Sequence, residues 1–485
     1  MNKATTSAEF QRYPMQASKR EGICLLKTVG DSTIRNYRRR SYVNLDNAAT
    51  TPAAADVWEA VNAAIHCYGS VHRGSGMKSV VSTALFEQAK LRIKRFVGAD
   101  TDDVLAIACN STIAINRFAN NYEFEPHDIV LVSEMEHSSN DLPWRNHASV
   151  IRVASLPSGG MDLNDLEAAL KKHGRNVRLV AVTGASNVNG FLTPLKEIAR
   201  LSHRHGAEVF VDAAQLAAHR QIRMRTGTDA EIDYVAFSGH KMYAPFGVGV
   251  VIGRKSAFLR EPPDLPGGGT VEMLTADDQI WASLPARINP GSPNLVGLVA
   301  VAAAAELIES IGFDKIQAHE RLLVRKGFEM FSAIPEVVVH GQSMFSADDD
   351  RLPIFPFTVR GIPFGKIAAI LGHEYGIAVR QGHLCQYEFM RRELGVTQDA
   401  QSRIEEDIRN GDKTSRYGMV RASCGLCTSE DDLDALGEAL RAIISGNVSL
   451  EYFQDRGSGE FRPKSGGNDV GDLIPLALSF LFKST

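Results

Sequence analysis

The sequence predicts an α/β fold, and three observations lead to that prediction. Short apolar runs rich in β-branched and aromatic residues, such as 207–211 and 234–237, stop at polar residues or glycine, as buried strands do at a turn. Apolar residues also recur at helical spacing, for example over 86–96. The 485 residues exceed the roughly 250 to 300 at which a single core stops growing. At least two domains are therefore expected.

Composition and charge exclude several classes of protein. Hydrophobic residues make up 44% and charged residues 23% of the chain, as is ordinary for a globular protein. The net charge of -4 does not indicate the basic surface that binds nucleic acid. No stretch reaches the roughly 20 apolar residues of a membrane span, and the N-terminus lacks a signal-peptide core. The six cysteines are too sparse for a disulfide framework, and Cys424 and Cys427 form a lone CxxC, so no metal site is expected. This pattern fits a reducing cytoplasm.

Two strand ends carry candidate chemistry. The strand predicted at 234–237 breaks at a turn and delivers Lys241 to the edge where open α/β sheets bind ligands. A partly desolvated amine has a lowered pKa and forms a Schiff base with an aldehyde. Asp212 ends the preceding strand, and a pyridoxal-phosphate site needs such a carboxylate to keep the pyridine nitrogen protonated. The alternatives are a surface lysine and a helix-capping aspartate, but a cap explains neither Gln215 nor the SGHK turn.

These residues carry a resemblance to a known family. VDAAQ at 211–215 followed by SGHK at 238–241 resembles the class V aminotransferases among the fold-type I pyridoxal-phosphate enzymes, and most of all the group II cysteine desulfurases and selenocysteine lyases. The similarity runs from about Leu45 to about Leu436, with the motifs in the family's order. It implies pyridoxal 5'-phosphate as cofactor, a large domain with a mostly parallel seven-stranded sheet flanked by helices, and a smaller α+β C-terminal domain.

Four segments are predicted along the chain: an N-terminal arm at 1–40, the large cofactor-binding domain at 41–300, the small domain at 301–455, and a linker with a C-terminal tail at 456–485. The Ala-rich run 295–311 is interpreted as the long helix that joins the two domains. The apolar stretch 473–482 in the tail is too short for a membrane span. The charged segment 393–416 is a lid, a docking surface or a solvated helical insert.

The cofactor phosphate is assigned to the start of a helix. The segment NSTIAIN at 110–116 follows a strand predicted at 104–108, and free N–H groups at a helix start bind phosphate. The hydroxyls of Ser111 and Thr112 add donors. A plain Ser/Thr cap uses the same geometry. The family has a Gly-Thr-Thr-like turn here, which favours phosphate, although Asn110 and Ser111 depart from that turn.

Other cofactor contacts are implied by the resemblance. His137, in the MEH motif after the strand predicted at 129–133, matches a histidine that stacks on the pyridine ring. Asn187 matches the residue that contacts the cofactor's phenolic oxygen or the substrate carboxylate. The motifs also imply cofactor contacts at Gln215, Ser238 and His240, and a substrate contact at Ala48 in the LDNAATT loop. The ends of four predicted strands are therefore expected to meet at one edge of the sheet. They carry His137, Asn187, Asp212 and Lys241.

The loop at 290–294 bears on whether the protein forms a dimer. PGSPN at 290–294 resembles the family's Gly-Thr-Pro-Asn loop, which reaches the phosphate of the other subunit's cofactor. Ser292 retains the hydroxyl of that loop. The resemblance therefore implies a homodimer with shared active sites.

The most reaction-specific segment is IAVRQGHLC at 377–385. Arg380 can clamp a substrate α-carboxylate bidentately. Cys385 follows on a short loop and matches the place of the desulfurase nucleophile, where many relatives have RxGHHC. Leu384 departs from that pattern and removes one possible proton donor near the sulfur. A cysteine is also often a small buried hydrophobe, and this alternative stays open.

The expected function is a cysteine desulfurase that converts L-cysteine to L-alanine and leaves a persulfide on Cys385. Its expected catalytic residues are Lys241, Asp212, His137 and Cys385, with Lys241 as the base at the α-carbon. The alternatives are another class V enzyme, such as an aminotransferase, epimerase or C–S or C–Se lyase that does not use Cys385, and a non-catalytic cofactor-binding scaffold. A small amino-acid substrate and a sulfur-acceptor protein are the expected partners, with no nucleic acid and no membrane.

Overall fold

The computed structural model describes residues 25–29, 42–156, 159–341 and 350–464. After the short strand β1 (Val43–Asn44), seven strands form the central sheet: β2 (Val104–Ala108), β3 (Ile129–Ser133), β4 (Ser149–Val153), β5 (Val177–Thr183), β6 (Glu208–Asp212), β7 (Tyr234–Ser238) and β8 (Gly249–Gly253). Their order is β2-β8-β7-β6-β5-β3-β4. The five strands from β7 to β4 are parallel, and β8 runs antiparallel to both of its neighbours.

Both faces of the central sheet are buried, which explains the continuous apolar runs in its strands. In β3, Leu131 packs into one core while Val130 and Val132 pack into the other. The flanking helices are α1 (Ala55–His66), α2 (Met77–Phe96), α3 (Ser111–Asn121), α4 (Leu163–His173), α5 (Leu195–Arg204) and α6 (Leu295–Ile311). Buried side chains of α3 join the core around Val130, and those of the other five helices join the core around Leu131.

A smaller sheet follows the hairpin of β9 (Val271–Leu274) and β10 (Gln279–Trp281). Its four antiparallel strands are β11 (Val337–Val339), β12 (Ile354–Val359), β14 (Arg380–Gly382) and β15 (Met419–Ser423), in the order β11-β12-β15-β14. Helices α7 (Phe313–Ser332), α8 (Phe364–Tyr375) and α11 (Glu430–Ile444) share a separate core with it. β1 pairs in parallel with β13 (Ile377–Ala378), so the early chain packs on the late chain.

The predicted fold class is confirmed, and several elements have the predicted bounds. The strands expected at 104–108 and 129–133 and the helix expected at 295–311 begin and end at those residues. Much of the charged segment 393–416 is helical, because α10 (Gln398–Arg409) follows α9 (Tyr387–Glu393) and has no buried residue. That arrangement fits a solvated insert. The predicted domain boundaries stay predictions.

One prediction needs correction. Strands β16 (Tyr452–Gln454) and β17 (Phe461–Pro463) form a hairpin. The described part of the predicted linker, 456–464, is the turn and the second strand of this hairpin. Phe461 lies against Gly365 of α8. Polar and glycine residues suit a hairpin turn as well as a linker, so composition does not separate the two. The tail stretch 473–482 and most of the N-terminal arm lie outside the described residues.

Among the residues that the structure describes, no single helix is both long and apolar enough to cross a membrane. The pair α6 and α7, which is bent by 78°, meets that criterion by length and composition alone.

Candidate active site

A cavity of about 410 Å³ opens at the carboxyl edge of the central sheet, where the smaller sheet approaches it. Its volume lies within the range of roughly 300 to 1,000 Å³ that is common for small-molecule sites. The predicted site residues on its wall are Ala48, Ser111, Thr112, His137, Asn187, Asp212, Gln215, His240, Lys241, Arg380 and Cys385. Ser292, by contrast, is exposed in the loop before α6 and is not on this wall. Residues from distant parts of the sequence therefore meet in one cavity.

Lys241 and Asp212 lie at the ends of adjacent parallel strands, because β6 pairs with β7. Burial lowers the pKa of Lys241 to about 8, although the nearby Asp212 carboxylate raises it. Burial also raises the pKa of Asp212, while a hydrogen bond from the Ala214 N–H and the charge of Lys241 lower it. An amine with this pKa is a better nucleophile near neutral pH than an ordinary lysine.

His137 is held neutral beside this pair. Burial, together with the charges of Lys241 and Arg421, lowers its pKa to about 4. Its Nδ1 accepts a hydrogen bond of 3.1 Å from the Ser139 N–H, which assigns the ring proton to Nε2. His240, next to Lys241, also has its pKa lowered to about 4 by burial. An uncharged imidazole can lie flat against an aromatic ring without repelling a protonated ring nitrogen.

The start of α3 is the candidate phosphate site, and its first turn is held in place by neighbouring residues. The Asn110 side chain caps the helix by accepting from the Ile113 N–H at 3.0 Å, which explains the asparagine that departs from the family turn. The Ser111 N–H donates to Ser238 Oγ at 2.6 Å. A Cβ on Gly249 would lie 2.2 Å from the Asn110 backbone, so only glycine lets α3 start so close to β8. Ser111 and Thr112 line the cavity, so the start of α3 offers hydroxyls and the positive end of the helix dipole to an anion there.

The wall of the cavity contains two arginines. Arg380 and Arg421 are direct cross-strand neighbours on β14 and β15, an arrangement that is repulsive by itself. Asp46 offsets the repulsion, because its Oδ2 lies 3.3 Å from Arg380 Nε and its Oδ1 lies 3.1 Å from an Arg421 Nη atom. Within the described chain, no hydrogen bond engages the two terminal nitrogens of Arg380, and these remain for a ligand.

Cys385 is exposed, and its loop is strained. Leu384 and Cys385 have φ angles of 51° and 61°, a left-handed conformation that costs roughly 1 to 3 kcal/mol per non-glycine residue. The Leu384 side chain is buried with Val188 and Met419, which anchors the loop. The Ser138 N–H donates to the Cys385 carbonyl at 3.2 Å. The alternative of a buried, inert cysteine therefore does not describe Cys385.

Sequence patterns missed three residues of this site. Arg421 lies in the apolar run of β15, Asp46 lies in the family's opening motif, and Glu136 precedes His137. Glu136 is buried with its pKa raised to about 8, and it accepts hydrogen bonds from Ser133, Asn140 and Thr183. A charged residue inside an apolar strand was the only available signal for Arg421. Across the described ranges, no cluster of three His, Cys, Asp or Glu side chains is arranged to hold a metal ion.

The chain belongs to the class V aminotransferase family, whose model matches residues 43–436. It is 33% identical over 392 residues to a cysteine desulfurase of Dickeya dadantii, covering 78% of this chain and 86% of that relative. It is 31% identical over 420 residues to a probable cysteine desulfurase of Halalkalibacterium halodurans, covering 85% and 94% respectively. The predicted family is therefore confirmed.

Two solved structures of cysteine desulfurases are also similar. The apo enzyme of Thermococcus onnurineus NA1 has a TM-score of 0.72 at 27% identity, covering 84% of this chain and 95% of that chain. The Escherichia coli enzyme CsdA, in an S-sulfonic acid form, has a TM-score of 0.70 at 26% identity, covering 84% and 96%. These similarities confirm the fold-type I architecture.

Proposed function

We propose that this chain is a pyridoxal-phosphate-dependent cysteine desulfurase that transfers the sulfur of L-cysteine to Cys385. The observation that carries the proposal is the presence of an exposed thiol, Cys385, on the wall of the same cavity as Lys241 and Arg380. A transaminase needs the lysine and the arginine but has no use for a thiol there. The names of the similar enzymes support the same conclusion.

The residues present fit the cofactor. Lys241 supplies an amine with a lowered pKa, and Asp212 supplies a carboxylate one strand away. Ser111 and Thr112, on the cavity wall at the start of α3, supply hydroxyls for a phosphate. Gln215 and Asn187 lie on the same wall. When bound, pyridoxal phosphate supplies an electron sink for charge that develops at the substrate α-carbon. We therefore propose it as the cofactor.

Each residue has a distinct task in the proposed reaction. The free terminal nitrogens of Arg380 bind the substrate carboxylate bidentately and so orient the sulfur away from the arginines. Lys241, as a free amine, removes the α-proton, and Asp212 keeps the cofactor nitrogen protonated. The Cys385 thiolate then attacks the substrate sulfur.

The sulfur transfer balances without an external oxidant. The substrate carbon–sulfur bond breaks, a sulfur–sulfur bond forms on Cys385, and the carbon receives a proton. L-Cysteine and one thiol thus give L-alanine and one persulfide. A sulfur-acceptor protein must afterwards remove the persulfide sulfur to regenerate the thiol, and the exposure of Cys385 permits such access.

We also propose that the enzyme is a homodimer with shared sites in a reducing cytoplasm. Ser292 is exposed and is not on the wall of its own cavity, as expected of a residue that serves a second copy. Next to it, Ile65 and Tyr68 are about half exposed and line a groove with Pro293 and Leu295. Exposed apolar surface of this kind marks sites of protein–protein contact. The cysteines that the structure describes are free thiols, which suits a reducing compartment.

Replacement of the proposed nucleophile tests the function. Cys385→Ala is expected to bind cofactor and L-cysteine normally but to lose persulfide formation and nearly all alanine release, because Cys385 is the one thiol among the described residues that line the cavity. Alanine and keto-acid yields are measured together with mass spectrometry of the Cys385 peptide. Cys67→Ala, which removes another exposed thiol outside the cavity, serves as the control and should be fully active.

Two outcomes would contradict the proposal. Undiminished alanine production by Cys385→Ala would show that the thiol is not the sulfur acceptor. A keto acid as the main product of the wild-type enzyme would instead favour an aminotransferase.

A further inference from the structure

The loop that carries Cys385 is fastened to the large domain by a pair of amide side chains. Gln386 Nε2 donates to the Asn187 Oδ1 at 3.0 Å and to the Met135 carbonyl at 2.6 Å. Asn187 Nδ2 in turn donates to the Leu384 carbonyl at 2.9 Å. The two amides thus hold the residues on both sides of Cys385. We call Asn187 and Gln386 the amide latch.

Both side chains of the amide latch are buried. Gln386 is only 1% exposed and Asn187 only 7%, so water competes little for these hydrogen bonds, which are stronger in such surroundings. Gln386 Nε2 also lies 3.4 Å from Ser186 Oγ, so the amide contacts the turn after β5 at two neighbouring residues. This arrangement ties the residue after Cys385 to the large domain.

The latch connects the thiol to the turns that form the rest of the site. Met135 and Ser138 flank His137, and both bind the Cys385 loop through their backbones. Asn187 belongs to the turn after β5, and its own carbonyl accepts from Arg421 at 2.8 Å. The left-handed conformation of Leu384 and Cys385 persists only where the surroundings enforce it. The latch therefore determines where the sulfur of Cys385 lies relative to the residues around it.

We propose that Gln386 is a positioning residue for sulfur transfer, which holds the Cys385 thiol within reach of the substrate sulfur. This inference rests on the proposed desulfurase function. It assigns to Asn187 a task beyond contact with cofactor or substrate, since both ends of its amide are used by the thiol loop. A displacement of about 1 Å at a reacting atom lowers a rate by roughly a hundredfold. Loss of the latch should therefore slow the step that Cys385 performs and spare substrate binding.

The test is Gln386→Met, which keeps the length and volume of the side chain but removes the Nε2 donor. We expect kcat for alanine formation to fall by roughly 10- to 100-fold, with KM for L-cysteine and the visible absorption of bound cofactor unchanged. We also expect faster alkylation of Cys385 by iodoacetamide, because the loop opens more often. Tyr387→Phe is the matched control: it changes the next residue, which is 54% exposed, and should match the wild type in all three measurements.

A second variant keeps the test decisive if Gln386→Met does not fold. Gln386→Asn retains a buried amide but is too short to reach both partners, and it should show the same loss of kcat to a smaller extent. An unchanged kcat in a folded variant would overturn the inference. The inference would also be overturned if the variant bound cofactor more weakly, had a higher KM and melted at a lower temperature, because these changes together indicate a structural role. Absence of a persulfide on the wild-type Cys385 would instead refute the desulfurase proposal itself.

Discussion

At the scale of single residues, opposing effects determine the pKa of Lys241. Burial lowers its pKa most, Asp212 opposes that effect, and Arg421 reinforces it. The net result is a pKa of about 8, so a substantial fraction of the amine is unprotonated near neutral pH. An ordinary lysine, with a pKa near 10.4, has almost none. The reactivity of Lys241 therefore comes from its place in the fold.

This balance predicts the pH dependence of cofactor loading. Because only the unprotonated amine attacks an aldehyde, the rate at which the apoenzyme takes up pyridoxal phosphate should rise with pH to a plateau, with a midpoint near 8. Asp212→Asn removes the charge that raises the Lys241 pKa, so its midpoint should shift to lower pH. Asp229→Asn, an exposed carboxylate outside the cavity, is the control. A midpoint near 10.5 in the wild type, or an upward shift in Asp212→Asn, would contradict this account.

At the scale of elements, the start of α3 combines a cap with a binding site. Asn110 fixes the first turn, Ser111 reaches Ser238 on β7, and Gly249 on β8 leaves room for the approach. A helix start that is held by two neighbouring strands stays ordered when a ligand binds there. The preorganised turn should therefore bind phosphate without an ordering cost.

Loss of the cap should weaken phosphate binding. Asn110→Ala removes the hydrogen bond to the Ile113 N–H, which costs about 1 kcal/mol, and the affinity of the apoenzyme for pyridoxal phosphate should fall roughly fivefold. The affinity for pyridoxal, which lacks the phosphate, should stay the same, as measured by absorbance titration of both ligands. Asn120→Ala, an exposed residue near the other end of the same helix, is the control. An equal loss for both ligands would indicate a general distortion of the site.

The sequence predicted well which residues lie at the carboxyl edge of the central sheet. It predicted poorly which residues the C-terminal part of the chain adds to the cavity. His137, Asn187, Asp212 and Lys241 follow apolar strands, and parallel strand ends meet at one edge whatever the details of packing. Asp46 and Arg421 meet only because β1 joins the C-terminal part, and no local pattern reports a pairing across that distance. The latch residue Gln386 was missed for the same reason, since a glutamine after a cysteine has no periodicity to mark it.

At the scale of the whole molecule, the cavity is an interface between two parts of one chain, and we propose that a second chain completes it. The central sheet supplies Lys241 and Asp212, while the smaller sheet supplies Arg380 and Arg421. Ser292 remains exposed on the outside. Defects at Lys241 and at Ser292 should therefore fall in different sites of a mixed dimer.

Mixing of two inactive variants tests this arrangement. Ser292→Asp places a negative charge beside the partner's phosphate and should inactivate the homodimer, as Lys241→Ala does. In a heterodimer of the two, one site has both defects and the other has neither, so activity should recover towards half of that of a wild-type dimer. A mixture of Lys241→Ala and Arg380→Ala is the control without recovery, because both residues line the cavity of one chain. Equal behaviour of the two mixtures, or a fully active monomer by sedimentation, would contradict the shared site.

The pairing of β1 with β13 has a consequence for synthesis on the ribosome. The Ala48 N–H donates to Ser423 Oγ at 2.9 Å, and these residues are 375 positions apart. At about 5 to 20 residues per second, roughly 20 to 75 seconds separate their appearance during translation. The sheet that carries Lys241 is complete long before the arginines and the thiol exist. Lys241 precedes Cys385 by 144 residues, so at the same rate the nascent polypeptide carries the lysine for roughly 7 to 30 seconds without the groups that select its proper ligand. We expect aldehyde metabolites to have access to the amine during that time.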